Sequence, residues 1–111
     1  MIEKIVLDHL EKQLDVPVRM ERPERAPERY VLLEKTGGGS RNHLQSATLA
    51  IQSIAESLYQ AALLNEAVKE AMEQAATLTE ISSARRNGDY NFTDTTIREY
   101  RYQAVYDLTY Y

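Results

Sequence analysis

Read by twos, the segment Arg98 to Tyr110 divides into two faces. Arg98, Tyr100, Tyr102, Ala104, Tyr106, Leu108 and Tyr110 make an aromatic and apolar set. Glu99, Arg101, Gln103, Val105, Asp107, Thr109 and Tyr111 make a mostly polar one. This period of two predicts a half-buried β-strand. Tyrosine carries a large apolar ring and a hydroxyl that wants a partner, so it suits surfaces that are dry at the base and wet at the rim. A strand of this composition points to a protein that builds interfaces.

Other segments follow different periods. Ile2, Ile5, Val6, Leu10 and Leu14 recur at helical spacing and predict an amphipathic helix over Met1 to Leu14. Asp15-Val16-Pro17 ends it, because the residue before proline is pushed out of the α region. Pro17 to Glu21 alternates as a short strand, with Val18 and Met20 on one side. Arg22 to Arg29 holds two prolines and five charges and reads as an extended loop.

Tyr30 to Thr36 is a compact run of strand formers. Thr36-Gly37-Gly38-Gly39-Ser40-Arg41-Asn42 then reads as a turn or mobile loop. Leu44 to Ile54 resumes a strand, with Ala47, Leu49 and Ile51 on one face, so the two strands predict a β-hairpin around a glycine-rich tip. From Ser57, a plausible N-cap, to about Ala76 the chain is rich in helix formers, with an apolar stripe of Leu64, Val68, Ala71, Met72 and Ala75. Glu80 to Arg86 is a weaker strand that can continue toward Phe92, and Asn87-Gly88 suits a tight turn or a bulge. Asn91 to Thr96 is rich in turn formers and leads into the tyrosine strand. The expected order is α-β-β-β-α-β-β: one α+β domain over residues 1–111, with a mostly antiparallel sheet and two helices packed on one face.

Composition narrows the function classes. There is no cysteine, hence no disulfide framework and no thiolate metal site. No apolar run is long enough to span a membrane, and the first residues lack the pattern of a signal peptide. A net charge of −4 argues against a protein whose main task is to hold nucleic acid.

Candidate chemistry is sparse. Gly37-Gly38-Gly39-Ser40-Arg41 invites a phosphate-cradle reading, but a strand pattern follows it where a helix is needed, and no Lys-Ser or Lys-Thr pair follows the glycines. A loop that orders itself against another protein fits better. His9 and His43 have no companions at a metal-ligand spacing, so both read as packed or solvated imidazoles. Asp89 and Asp94 could form an acidic pair, but turn-making is the commoner role there. Arg19, Arg22, Arg25 and Arg29 are interleaved with Glu21, Glu24 and Glu28, and such a zwitterionic stretch reads as a solvated loop that suits docking to a second copy. No catalytic residue and no cofactor is expected.

Several pieces together resemble the tail terminator (tail completion) proteins of long-tailed bacteriophages and prophages. They are Pro27-Glu28-Arg29-Tyr30-Val31 entering a strand, Ile51-Gln52-Ser53-Ile54-Ala55 leading to an Ala-rich helix, and the closing Tyr100-Arg101-Tyr102-Gln103-Ala104. The resemblance implies a non-enzymatic subunit of a hexameric ring that caps the tail tube, stops its elongation and offers a surface for head–tail joining. Implied partners are sister subunits, the tail tube protein, and a head-completion or connector protein. DNA would pass through the lumen without specific binding, and no membrane is involved. The location would be the head-proximal end of the virion tail, after assembly in the host cytoplasm. The segments expected at subunit or tube contacts are Thr36, Gly37, Gly38, Gly39, Ser40 and Arg41, then Asn87, Gly88 and Asp89, then Tyr110 and Tyr111. Two other readings stand beside it: a head-completion or connector protein on the portal side, and a small ligand-binding domain or enzyme using the Gly37–Gly39 loop.

Overall fold

The computed structural model describes residues 1–111 and has the expected α+β architecture. Helix α1 (Ile2–Gln13) is followed by β1 (Val18–Arg19), β2 (Tyr30–Arg41) and β3 (Leu44–Ala55). Helix α2 (Leu58–Glu73), a 3-10 turn (Ala75–Thr77), β4 (Ile81–Asn91) and β5 (Tyr100–Tyr110) complete the chain. The strands form one sheet in the order β1-β2-β3-β5-β4. β1 runs parallel to β2, and every other pairing is antiparallel.

The helices share one face because the apolar stripes match there. Val31 and Leu33 of β2, Ala47, Leu49 and Ile51 of β3, and Ala104, Tyr106, Leu108 and Tyr110 of β5 are all buried in a common core. Ile2, Val6 and Leu10 of α1 and Leu64, Val68, Ala71 and Met72 of α2 close it from above. Each such large apolar side chain contributes about 1.5–3 kcal/mol on burial. Ser57 caps α2 as its position suggests, its Oγ accepting from the Gln60 N–H at 3.1 Å. His9, buried, donates from Nε2 to the Ala71 carbonyl at 2.7 Å and so links the two helices.

Three local expectations need correction. The strand at Pro17–Glu21 shrinks to Val18–Arg19, and Met20 is exposed beyond it. The segment Gly37-Gly38-Gly39-Ser40-Arg41 is no loop: it lies inside β2, paired across to Thr48, Ala47, Ser46, Gln45 and Leu44. The turn falls instead at Asn42 and His43, with φ of 51° and 67°. A two-residue hairpin needs two left-handed residues to match the strand twist, and asparagine adopts that region readily. None of the glycines has positive φ, so they serve as strand residues that happen to lack side chains. β4 does continue past Arg86, to Asn91, and of the two readings of Asn87-Gly88 the bulge holds, between Arg86 and Gly88. Lastly, of the tyrosine row only Tyr106 and Tyr110 are buried, while Tyr100 and Tyr102 are half-buried near the start of β5.

The second face of the sheet carries no helix. It grades from small polar side chains at the hairpin end, through Gln52 and Gln103, to Tyr30, which lies next to Arg22 of the preceding loop. The long hairpin stretches the molecule to 44 × 25 × 24 Å.

Candidate functional site

The features most capable of function are the two borders of the sheet. On one side β1 covers β2 only at Val31 and Leu32. From Glu34 to Arg41 the strand is exposed and has no neighbour on its outer side. On the other side β4 is the last strand, and its outer edge is unpaired from end to end. Unpaired strand N–H and C=O groups are a template for another chain.

Each border has a definite hydrogen-bonding phase. The Val31 N–H points outward, donating to the Pro17 carbonyl at 2.9 Å. Strand alternation then turns the Lys35 N–H outward. A bulge between Lys35 and Gly37 shifts the phase by one residue, so Gly38 and Ser40 face out in the tip. On β4 the Phe92 N–H points inward, to the Arg101 carbonyl at 2.8 Å. Asp89 therefore faces outward, and beyond the bulge between Arg86 and Gly88 so do Arg86 and Ala84.

The side chains of the borders differ. Thr36 sits in the bulge with its hydroxyl donating to the Thr48 carbonyl at 3.4 Å. Gly37, Gly38 and Gly39 add no side chain of their own to the β2 edge, and the Lys35 side chain lies over Gly38, where a Cβ would come 3.0 Å from both Lys35 Cε and the Ser46 carbonyl oxygen. The β4 edge is bulky, with Arg85, Arg86 and Asn87 exposed in succession. Asn87 Nδ2 donates to Asp107, which also accepts from the Thr48 hydroxyl at 2.8 Å. Gly88 packs where a Cβ would meet Val105 and Tyr90 at 3.3 Å.

Asp89 turns toward the helices. It accepts from Asn65 Nδ2 and Lys69 Nζ, both at 2.7 Å. The Lys69 ammonium holds its carboxyl below the ordinary carboxylate value, and Asp89 in return raises Lys69. Asp94 makes no acidic pair with it. Asp94 accepts from the Thr96 backbone and hydroxyl, and those bonds lower its pKa.

The expected site residues thus fall into two groups. Gly37 to Arg41 and Tyr110-Tyr111 gather at the hairpin end, where Gln45 pairs with Tyr110 and the Tyr111 N–H donates to the Glu80 carbonyl at 3.1 Å. Tyr110 is buried, whereas Tyr111 is exposed. Asn87 to Asp89 lie across the sheet, at the middle of the β4 edge. Arg85-Arg86, also on this edge, forms too short a basic run to stand out in the sequence. The missing signal was neighbourhood, since only the sheet order shows that these residues line an outer edge.

Concave space is shallow and polar. The helix-free face holds an open trough of about 560 Å³ lined by residues that include Ser46, Thr48, Ser83, Arg85, Asp107 and Thr109. Its hydroxyls and carboxylate largely satisfy one another, as in the Ser83–Thr109 contact of 2.5 Å. No group of three or more His, Cys, Asp or Glu side chains is placed to hold a metal ion. The phosphate-cradle reading loses its loop, because Gly37–Gly39 is strand on both sides of its bonds to β3.

Fold and borders together define a small α+β domain with one sheet, two open edges and a projecting hairpin. No protein-family model matches the chain, and no curated protein matches it either.

Proposed function

We propose that the chain is a structural subunit of virion assembly, acting as the tail terminator its sequence resembles. Copies join into a ring that caps the tail tube, stops its elongation and presents a surface for head–tail joining. The observation that supports this best is the pair of open borders on opposite sides of one sheet, running antiparallel to each other. Such a subunit can bond to a sister on each side without reversing its orientation. That is the heterologous contact from which cyclic rings are built.

The remaining roles follow from the ring. The partners are the tail tube protein and a head-completion or connector protein, with the projecting hairpin available to reach along the ring axis. The net charge of −4 leaves passing DNA without a strong basic track to adhere to.

The test is assembly. Purified protein is examined by sedimentation and negative-stain electron microscopy, alone and with tail tubes. Rings with a central hole that cap tubes are expected. A protein that stays monomeric at all concentrations and never associates with tubes would overturn the reading. Pull-down against tube protein and against portal protein separates the tail-end role from one on the portal side.

A further inference from the structure

We infer that the contact between sister subunits is a continuation of the sheet, in which the glycine edge of β2 pairs antiparallel with the β4 edge of the next copy. This rests on the ring reading above and adds the surface and register to it.

Both edges carry a bulge in their middle, with a second on β4 at its start, between Ile81 and Ser83, and the central pair restricts how the edges can meet. Outward amides on β2 are those of Lys35, Gly38 and Ser40, with the bulge at Thr36 between the first two. Outward amides on β4 are those of Ala84, Arg86 and Asp89, with the bulge at Asn87 between the last two. Hydrogen-bonded pairs need an outward residue opposite an outward residue. One antiparallel register satisfies this along the whole edge: Lys35 opposite Asp89, Gly38 opposite Arg86, and Ser40 opposite Ala84. A slip of two residues either way sets a bulge against regular strand.

The side chains fit the same register. Lys35 meets Asp89, a pair of opposite charge, and both lie on the helix-covered face, since Lys35 pairs with Leu49 and Asp89 with Ala104. The bulky run Arg85-Arg86-Asn87 falls opposite Gly39, Gly38 and Gly37, which offer no side chain to obstruct it. This gives Gly37 and Gly39 a purpose that their place in the strand does not otherwise require, whereas Gly38 is also kept free of a side chain by the nearby Ser46 carbonyl. The strand directions agree as well. In the order β2-β3-β5-β4 the outer strands point opposite ways, so a neighbour related by rotation presents β4 antiparallel to β2.

The chain has no cysteine, which makes disulfide trapping clean. In this register Arg41 falls opposite Ser83 in a pair without mutual hydrogen bonds, where Cα atoms are about 4.5 Å apart and so within disulfide reach. Arg41→Cys protein and Ser83→Cys protein are mixed and oxidised, and assembly of each is followed by sedimentation. The mixed disulfide is expected to exceed either homodimer by tenfold or more. Exchange of the Gly38 and Arg86 amides is expected to slow by at least tenfold on assembly of the unmodified protein. Arg41 or Ser83 homodimers as the main product would overturn the pairing in favour of a two-fold contact. Ring formation without the mixed disulfide and without amide protection would overturn the pairing and leave the ring reading standing. Absence of any association would remove both.

Discussion

Lys69 of α2 donates to Asp89 of β4 at 2.7 Å, and this bond ties the helix layer to the outermost strand of the sheet. Helix α2 otherwise packs mainly on β3 and β5, so β4 has few other links to that helix. The Lys69 side chain is only 13% exposed and that of Asp89 is 30% exposed, which limits screening by solvent.

Acid is therefore expected to loosen this link. Asp89 titrates below its ordinary value of 3.8 because Lys69, chiefly, and Asn65 stabilise its carboxylate. A lowered folded-state pKa adds stability that is full above 3.8 and is lost as the pH falls through the folded value. Asp89→Asn should cost about 1–2 kcal/mol at neutral pH. The difference from the parent should shrink in urea melts taken below the ordinary carboxylate range. An undiminished difference in strong acid would show that the effect comes from packing alone.

The hairpin turn offers a stabilising change. His43 holds φ at 67°, a conformation that costs a residue with a Cβ about 1 kcal/mol and costs glycine little. His43→Gly should raise stability by about 0.5–1 kcal/mol, whereas Asn42→Val should lower it by at least as much. Thermal melts of the two variants give opposite shifts if the turn has this geometry.

That turn also marks where sequence reading succeeds and where it stops. Tyr106, Leu108 and Tyr110 announced their face by period two, and α2 announced its stripe and its Ser57 cap, because burial imposes a local rhythm. Gly37–Gly39 did not announce a strand, since residues without side chains carry no rhythm and the pairing with Thr48, Ala47 and Ser46 is made by backbone. Asn87-Gly88 left a tight turn and a bulge both open, a choice decided in favour of the bulge by β5 running alongside. The candidate site was legible only in part for the same reason. The glycines and Asn87–Asp89 were singled out as contact segments, but their positions on opposite borders follow from strand order, which local pattern does not encode.

A long-range ion pair fixes the charged loop. Arg22 and Glu99 bond across the end of the sheet, and Arg22 also donates to the Tyr30 hydroxyl at 3.3 Å. Arg22 remains 44% exposed, so the pair should contribute less than about 1 kcal/mol to global stability. Its larger effect should be local. Arg22→Ala should leave the melting temperature nearly unchanged and speed proteolysis within residues Glu21–Arg29 several-fold. Cleavage there at the parental rate would mean the loop is held by something else.

The glutamines of the helix-free face should respond asymmetrically to removal. Gln52 and Gln103 are both buried, and Gln52 Nε2 donates to Gln103 Oε1 at 3.2 Å. Gln103 Nε2 in turn donates to the Tyr90 hydroxyl at 2.5 Å. Gln52 Oε1, however, is buried without a partner. Burying an unmatched acceptor costs about 1–3 kcal/mol, and replacing it by an apolar group removes that cost. Gln52→Met gives up one modest bond and relieves one unsatisfied atom, so it should be neutral or stabilising by up to about 1 kcal/mol. Gln103→Met strands partners on both sides, the Gln52 amide and the Tyr90 hydroxyl. It should cost about 1–3 kcal/mol. Denaturant melts of the two variants decide the matter, and equal losses would mean that the two side chains act as equivalent packing groups with no directional chain of bonds between them.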